Sequence, residues 1–305
     1  MASNVAVLDC GSNSTRLLIA SPEGATLVRE MRITRLSAGV DASGNLRAEA
    51  LARSYDALTH YREVMDEYEV ERGLLVATSA VRDAANGHEF LTRAAQITGV
   101  SARLLSGEQE AAFSYAGATR GLSEAPRATL VLDIGGGSTE LATCIDGVLY
   151  GYSMQLGCVR VTERALGSDV TTTDAVAAAR AMIDEQLDQA FAAEPHFATL
   201  VGDVRLVGLA GTVSTLAQLD AGLRHYDRDV VHHRLLSRAT VQRWRDRLGA
   251  ISPAERLTLP GMVAGREDVL VAGLYVLDAV MERFRVDELL TSEDDILDGV
   301  AASLR

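Results

Sequence analysis

Val5 to Ala20 reads VAVLDCGSNSTRLLIA, and Thr129 to Cys144 reads TLVLDIGGGSTELATC. At an offset of 124, Val7, Leu8, Asp9, Gly11, Ser14, Thr15 and Leu17 recur as Val131, Leu132, Asp133, Gly135, Ser138, Thr139 and Leu141. That is seven identities in eleven positions without a gap. Self-similarity at a fixed offset marks a repeated structural unit, so the chain reads as two related domains facing each other. Each copy begins with a β-branched apolar run, the pattern of a buried strand. An aspartate closes the run, a turn of glycine and small hydroxyl residues follows, and a second apolar run completes a hairpin.

The turns carry the chemistry. Glycine lets backbone N–H groups converge on an anion with no Cβ in the way, and serine and threonine hydroxyls add donors. Gly11, Ser12, Asn13 and Ser14 in the first turn, and Gly135, Gly136, Gly137 and Ser138 in the second, are therefore expected to clasp phosphate from opposite sides. Asp9 and Asp133 can each hold a magnesium ion, directly or through water. The copies differ at one telling place: Arg16 in the first is replaced by Glu140 in the second. The first turn thus becomes cationic and suited to phosphate. The second becomes anionic and suited to metal.

Composition narrows the chemistry further. All 29 Lys-plus-Arg residues are arginine. A Walker-A loop, a protein kinase and a Schiff-base enzyme each need a lysine, so all three are excluded. Every cationic phosphate contact falls to arginine, backbone N–H or metal. The net charge of −13 argues against nucleic-acid binding. An anionic substrate would need a localised arginine cluster. Cys10, Cys144 and Cys158 lack Cys-x-x-Cys spacing and read as reduced thiols of a cytoplasmic protein. His232 and His233 are adjacent, so on a helix or strand their rings would point apart and not share a metal. Asp9 and Arg16 in the first apolar stretch exclude a signal peptide. Val269 to Leu277 is too short to span a bilayer, and no membrane partner is expected.

The two facing Asp-x-Gly-x-x-Ser-Thr hairpins resemble the phosphate loops of the actin-like ATPase-domain superfamily. Within it, DCGSNSTRLLI followed by DIGGGSTEL is similar to the exopolyphosphatase / guanosine-pentaphosphate phosphohydrolase family. ATSAVRDAANGHEF (77–90), LSGEQEA (105–111), SMQLGCVRVTE (153–163), GLAGTVSTLA (208–217) and GREDVLVAG (265–273) continue the resemblance in order. It implies an α/β, duplicated actin-like (ribonuclease-H-like) fold with two domains and an interdomain cleft. The expected division is residues 1–122 and 123–294, with 295–305 returning to the first domain.

The implied reaction is hydrolysis of the terminal phosphoanhydride of inorganic polyphosphate, releasing orthophosphate. It is a positioning and charge-neutralising task. Glu110, before the alanine of the SG..EA motif, matches the family's water-activating base. Arg82 matches the family's arginine after the Thr78-Ser79-Ala80 turn, and with Arg16 it would grip phosphate bidentately. Asp9, Asp133 and Glu140 would surround Mg2+, with Mn2+ as the alternative. Arg266 and Asp268 match a supporting motif. Gly211 and Thr212 stand where actin-like kinases contact adenosine, but the family's preceding glycine is Ala210 here. The resemblance also implies a homodimer. The chain stops at Arg305 without a further C-terminal region, which predicts a preference for short to medium polyphosphates.

Three other readings stand beside this one. The first is the 5′-phosphatase of guanosine pentaphosphate, a stringent-response nucleotide. The second is a non-catalytic actin-like sensor of a phosphorylated ligand, and the third a sugar or acetate kinase. Retention of Glu110 argues against the sensor and Ala210 against the kinase.

Apolar spacing predicts the remaining elements: a helix within Leu46–Val70, a strand at Leu74–Ala77, and a helix over Glu108–Arg120 with Ser106 as N-cap. Gly121–Arg127, with Pro126, reads as the domain boundary. A long helix over Thr173–Ala193, a strand at Val204–Leu209 and a helix over Thr212–Gly222 follow. A mostly buried helix over Asp268–Phe284, then a polar SEDD loop and a closing helix, complete the chain.

Overall fold

Residues 3–123 and 127–305 are described by a computed structural model. Glu124, Ala125 and Pro126, in the segment expected as the boundary, lie outside the described residues. The chain forms two compact units, residues 1–117 with 296–305, and residues 118–295.

The first unit is built on a five-stranded sheet. Its strands are β1 (Val5–Cys10), β2 (Ser14–Ala20), β3 (Thr26–Ile33), β4 (Arg72–Ala77) and β5 (Ser101–Leu104), in the order β3-β2-β1-β4-β5. β1, β2 and β3 are successively antiparallel, while β4 joins β1 and β5 joins β4 in parallel. β1 is buried along its whole length. Ala6, Leu8 and Cys10 share one core with the helices Ala48–Glu67 and Gly87–Thr98. Val7, Leu74 and Val76 pack with Ile296, Leu297 and Val300 of the closing helix Ile296–Ser303. A strand covered on both faces needs apolar residues at every position, which is why the repeat begins with an unbroken apolar run. The helix Gly107–Ala118 lies against the closing helix so tightly that a Cβ at Gly299 would overlap the Phe113 carbonyl.

The second unit repeats the plan. β6 (Ala128–Ile134), β7 (Thr139–Ile145) and β8 (Val148–Met154) are antiparallel. β9 (Val204–Leu209) joins β6 in parallel and β11 (Glu288–Thr291) joins β9 in parallel. β10 (Leu235–Ser237) adds an antiparallel edge, giving the order β10-β11-β9-β6-β7-β8. The duplication visible in two hairpins thus extends to five strands of each sheet, including β3, β8, β5 and β11, whose sequences show no mutual likeness. The expected long helix is Thr173–Ala193, and Leu270–Phe284 is buried along most of its length. No helix among the described residues is long and apolar enough to cross a membrane.

One expectation is corrected. The rings of His232 and His233 do not point apart; they stack with centroids 3.7 Å apart. His232 ends the short helix Arg228–Val231, and His233 takes φ +60, so neither obeys helix or strand periodicity.

Candidate phosphate-binding and catalytic site

The two glycine turns are built alike. Each opens with an identical backbone bond, Gly11 N to Ser14 O at 3.0 Å and Gly135 N to Ser138 O at 3.0 Å. Behind the first turn, the Ser12 carbonyl accepts from Ser37 N at 2.9 Å. The Asn13 carbonyl accepts from Thr34 N and Arg35 N at 3.1 and 2.9 Å. Behind the second, the Gly135 carbonyl accepts from Cys158 N at 2.9 Å. The Gly136 carbonyl accepts from Val159 N and Arg160 N at 2.9 and 3.1 Å. The C=O and N–H of one trans peptide point in opposite directions. Carbonyls held behind the turn therefore turn the following amides to its front. There the N–H groups of Ser12, Asn13, Gly136, Gly137 and Ser138 meet no acceptor among the described residues. Successive amides arranged so form an anion-binding concavity.

Strand register fixes the acids. Asp9 stands opposite Arg16 across β1 and β2, and Asp133 opposite Glu140 across β6 and β7. Residues directly opposite one another on an antiparallel pair share a face and lie within side-chain reach. In the first copy Arg16 donates through Nε at 3.0 Å and Nη2 at 2.6 Å to Asp9 Oδ2. This guanidinium, expected as a phosphate clamp, is engaged with the carboxylate of its own hairpin. In the second copy two carboxylates face each other, both buried, and Glu140 Oε1 accepts a 2.6 Å bond from Ser153. Adjacent buried carboxylates repel unless a proton or a cation offsets them, and an all-oxygen donor set suits a hard divalent ion. The chemistry of Asp133 and Glu140 therefore fits magnesium or manganese. Among the described residues no group of three or more His, Cys, Asp and Glu could hold a metal without other donors.

Glu110 lies in the first turns of Gly107–Ala118 and is buried. Ser106 caps this helix as expected. Gln109 N donates to Ser106 Oγ at 3.2 Å and Ser106 N to Gln109 Oε1 at 3.0 Å, a reciprocal capping box. Arg82 Nη1 donates to the Leu105 carbonyl at 2.9 Å and approaches Glu110 Oε2 at 3.4 Å. Its Nη2 is buried and meets no acceptor among the described residues, as suits a fork with one arm kept for an anion. The hydroxyls of Ser12 and Ser79 lie 2.9 Å apart, tying the first glycine turn to the short helix Ser79–Arg82 that carries Arg82.

The supporting residues are in the second unit. Arg266 is buried and donates through Nη1 to Thr215 Oγ1 at 3.0 Å. Its guanidinium lies on Gly211, where a Cβ would overlap it. Asp268 is half-buried in the turn before Leu270–Phe284. Ala210 has φ +67, a conformation that favours glycine, which is the physical reason the family's glycine belongs there. The neighbouring Cys158 thiol is pushed up to about 11 by burial, an effect that the Arg266 charge opposes.

Sequence reasoning missed the segment that holds the second turn. Gly157 must be glycine, because a Cβ would overlap the Gly136 carbonyl. Arg160 is buried and donates through Nε to the Gly137 carbonyl at 2.7 Å. Both fall within SMQLGCVRVTE, singled out as a family segment but carrying no spacing relation to the turn it grips.

Two mixed sheets repeated on one plan, each presenting an Asp-x-Gly turn with outward amides, define a class of duplicated α/β proteins with an anion-binding turn in each half. Within that class, the chain belongs to the Ppx/GppA phosphatase family, whose pattern matches residues 19–304. It is 39% identical to exopolyphosphatase 2 of Mycobacterium tuberculosis over 317 aligned positions, covering 98% of each chain. Among solved structures it is similar to an exopolyphosphatase-like protein at 34% identity and a TM-score of 0.92, covering 99% of this chain and 98% of that one. An exopolyphosphatase from Cytophaga hutchinsonii matches at 26% identity and a TM-score of 0.90, covering 99% of this chain and 97% of that one.

Proposed function

We infer that the protein is an exopolyphosphatase, hydrolysing the terminal phosphoanhydride of inorganic polyphosphate and releasing orthophosphate. The observation that carries the reading is the pair of glycine turns whose carbonyls are held from behind and whose amides are left for an anion. The likeness to exopolyphosphatase 2 selects polyphosphate from among phosphorylated substrates and makes guanosine pentaphosphate the less favoured alternative.

In this reading the amides of 12–14 and 136–138 hold the terminal phosphate oxygens and the spare arm of Arg82 adds a charged donor. Glu110 orients the attacking water and accepts its proton. Its nearness to Arg82 couples that task to phosphate capture. Asp133 and Glu140 would hold a divalent ion, Mg2+ or Mn2+, whereas Asp9, the third acid expected there, is engaged by Arg16 of its own hairpin. When bound, the ion supplies neutralisation of phosphate-oxygen charge. Arg266 and Asp268 support the second turn's surroundings. The family resemblance extends the proposal to a homodimeric, cytoplasmic enzyme, which sedimentation and fractionation would check.

Orthophosphate release from polyphosphate and from guanosine pentaphosphate, each with and without EDTA, tests the proposal. We expect faster release from polyphosphate and its loss in EDTA. A higher kcat/KM for the nucleotide would overturn the substrate assignment, and full activity in EDTA the metal assignment.

A further inference from the structure

We propose that Arg160 is a positioning residue that latches the second phosphate turn, acting through the Gly137 carbonyl rather than by touching substrate; this rests on the phosphate-binding reading above. The two copies differ in how their turns are held. In the first, backbone amides of Thr34, Arg35 and Ser37 take the Ser12 and Asn13 carbonyls. In the second, the backbone of 158–160 takes the Gly135 and Gly136 carbonyls, but the third carbonyl, Gly137, is taken by the Arg160 side chain through Nε at 2.7 Å.

The Gly137 C=O and the Ser138 N–H belong to one planar peptide, so fixing one aims the other. Three consecutive carbonyls drawn to one side set the amides of Gly136, Gly137 and Ser138 on the other. The last of the three depends on a side chain. Glycine-rich backbone is the least self-restrained, so this peptide is free to rotate once Arg160 lets go. The geometry is specific. Arg160 is buried, its segment can approach only because Gly157 has no Cβ, and the Arg160 backbone N–H already binds the same turn at Gly136. A guanidinium supplies a rigid, directional Nε–H that lysine cannot place in the same plane.

The test compares wild type with Arg160→Gln and Arg160→Lys. Polyphosphate binding is measured in a Glu110→Gln background, KM and kcat in the native background, and melting temperature for each. Tungstate, a phosphate-shaped oxyanion, serves as a probe independent of turnover. We expect Arg160→Gln to weaken tungstate and polyphosphate binding by about tenfold or more, the scale of a charge-assisted hydrogen bond. KM should rise more than kcat falls. Arg160→Lys should recover less than half of the loss in logarithmic terms, because the charge returns without the directional donor.

Unchanged affinity with a lowered melting temperature would make Arg160 merely structural and overturn the proposal. Full recovery by lysine would show that charge alone matters and also overturn it. Failure of the functional reading looks different: wild type itself would release no orthophosphate from polyphosphate, while the tungstate comparison would still report on the latch.

Discussion

The two hairpins of the duplication share a strand register, a turn and seven of the eleven residues from Val7 to Leu17, yet they end in opposite electrostatic states. In the first, Asp9 meets Arg16 and its charge is neutralised within the hairpin, with Nη2 and Oδ2 2.6 Å apart. In the second, the same register sets Asp133 against Glu140. One substitution within a shared geometry makes one cross-strand pair an ion pair and the other a pair of acids. The lesson is that backbone placement is the same in both copies, while a single cross-strand position sets the charge beside each turn; under the proposed function that position would divide phosphate capture from cation chemistry. The first unit adds Glu110 and Arg82, which have no counterpart at equivalent places in the second unit's sequence.

The comparison is broken most severely by removing what only the first unit supplies. Glu110→Gln should lower kcat by about 10³ to 10⁴, the upper part of the general-base range, while polyphosphate binding persists. A rate within tenfold of wild type would remove Glu110 from the base role. Next, Glu140→Arg recreates the first copy's ion pair in the second. Orthophosphate release should fall by about 10³ and no longer respond to added magnesium, since the hard-oxygen pair is consumed internally. Retained magnesium dependence, read by titrating the metal, would show that the ion sits elsewhere.

The closed pair of the first copy should act mainly on stability. Arg16→Met strands the buried Asp9 carboxylate, whose side chain is 4% exposed. A stability loss of about 2–3 kcal/mol in urea unfolding is expected, somewhat below the range for fully buried pairs because Arg16 is partly solvated. Adding Asp9→Asn should recover part of it. If Arg16 were instead free to serve phosphate, stability would barely change and KM would rise.

The smallest effect concerns the segment that holds the second turn. Cys158 ionises near 11 in the fold because burial disfavours the thiolate, against an ordinary value of 9.0. The folded pKa is the raised one, so this contribution is full below about pH 9 and is lost as pH rises toward 11. At pH 10 the loss is on the order of 1 kcal/mol. Cys158→Ala should flatten the fall in melting temperature across that window; an unaltered slope would show that the thiol does not contribute. Cys10 is raised in the same direction by burial and by the Asp9 charge, so some alkaline loss remains in the variant.

The sequence was most legible where local chemistry and buried strands coincide. The apolar runs, the terminal aspartates and the glycine turns of 9–14 and 133–138 announced both hairpins. The Ser106 cap and the acidic start of 107–118 announced the helix that carries Glu110. What stayed hidden was anything set by partners distant in the chain. β11 is short and partly polar, and it is a strand because β9 and β10, distant in the chain, lie on either side of it. The stacked histidines depend on a left-handed residue that no periodicity reveals. That Arg16 meets a carboxylate directly across the sheet was equally hidden, because nothing in its spelling gives the strand register.

By itself the sequence determined the duplication, the Asp-x-Gly-x-x-Ser-Thr chemistry of each turn, and the absence of lysine that leaves phosphate contacts to arginine and backbone. Only the tertiary structure decided which charges meet and what stands behind the turns. It paired Asp9 with Arg16 and Asp133 with Glu140 through strand register, and it brought Gly157 and Arg160 against Gly136 and Gly137 from some twenty residues away. The physical reason is that a turn's composition permits many peptide orientations. The hydrogen bonds that choose one of them come from residues whose sequence positions bear no periodic relation to it.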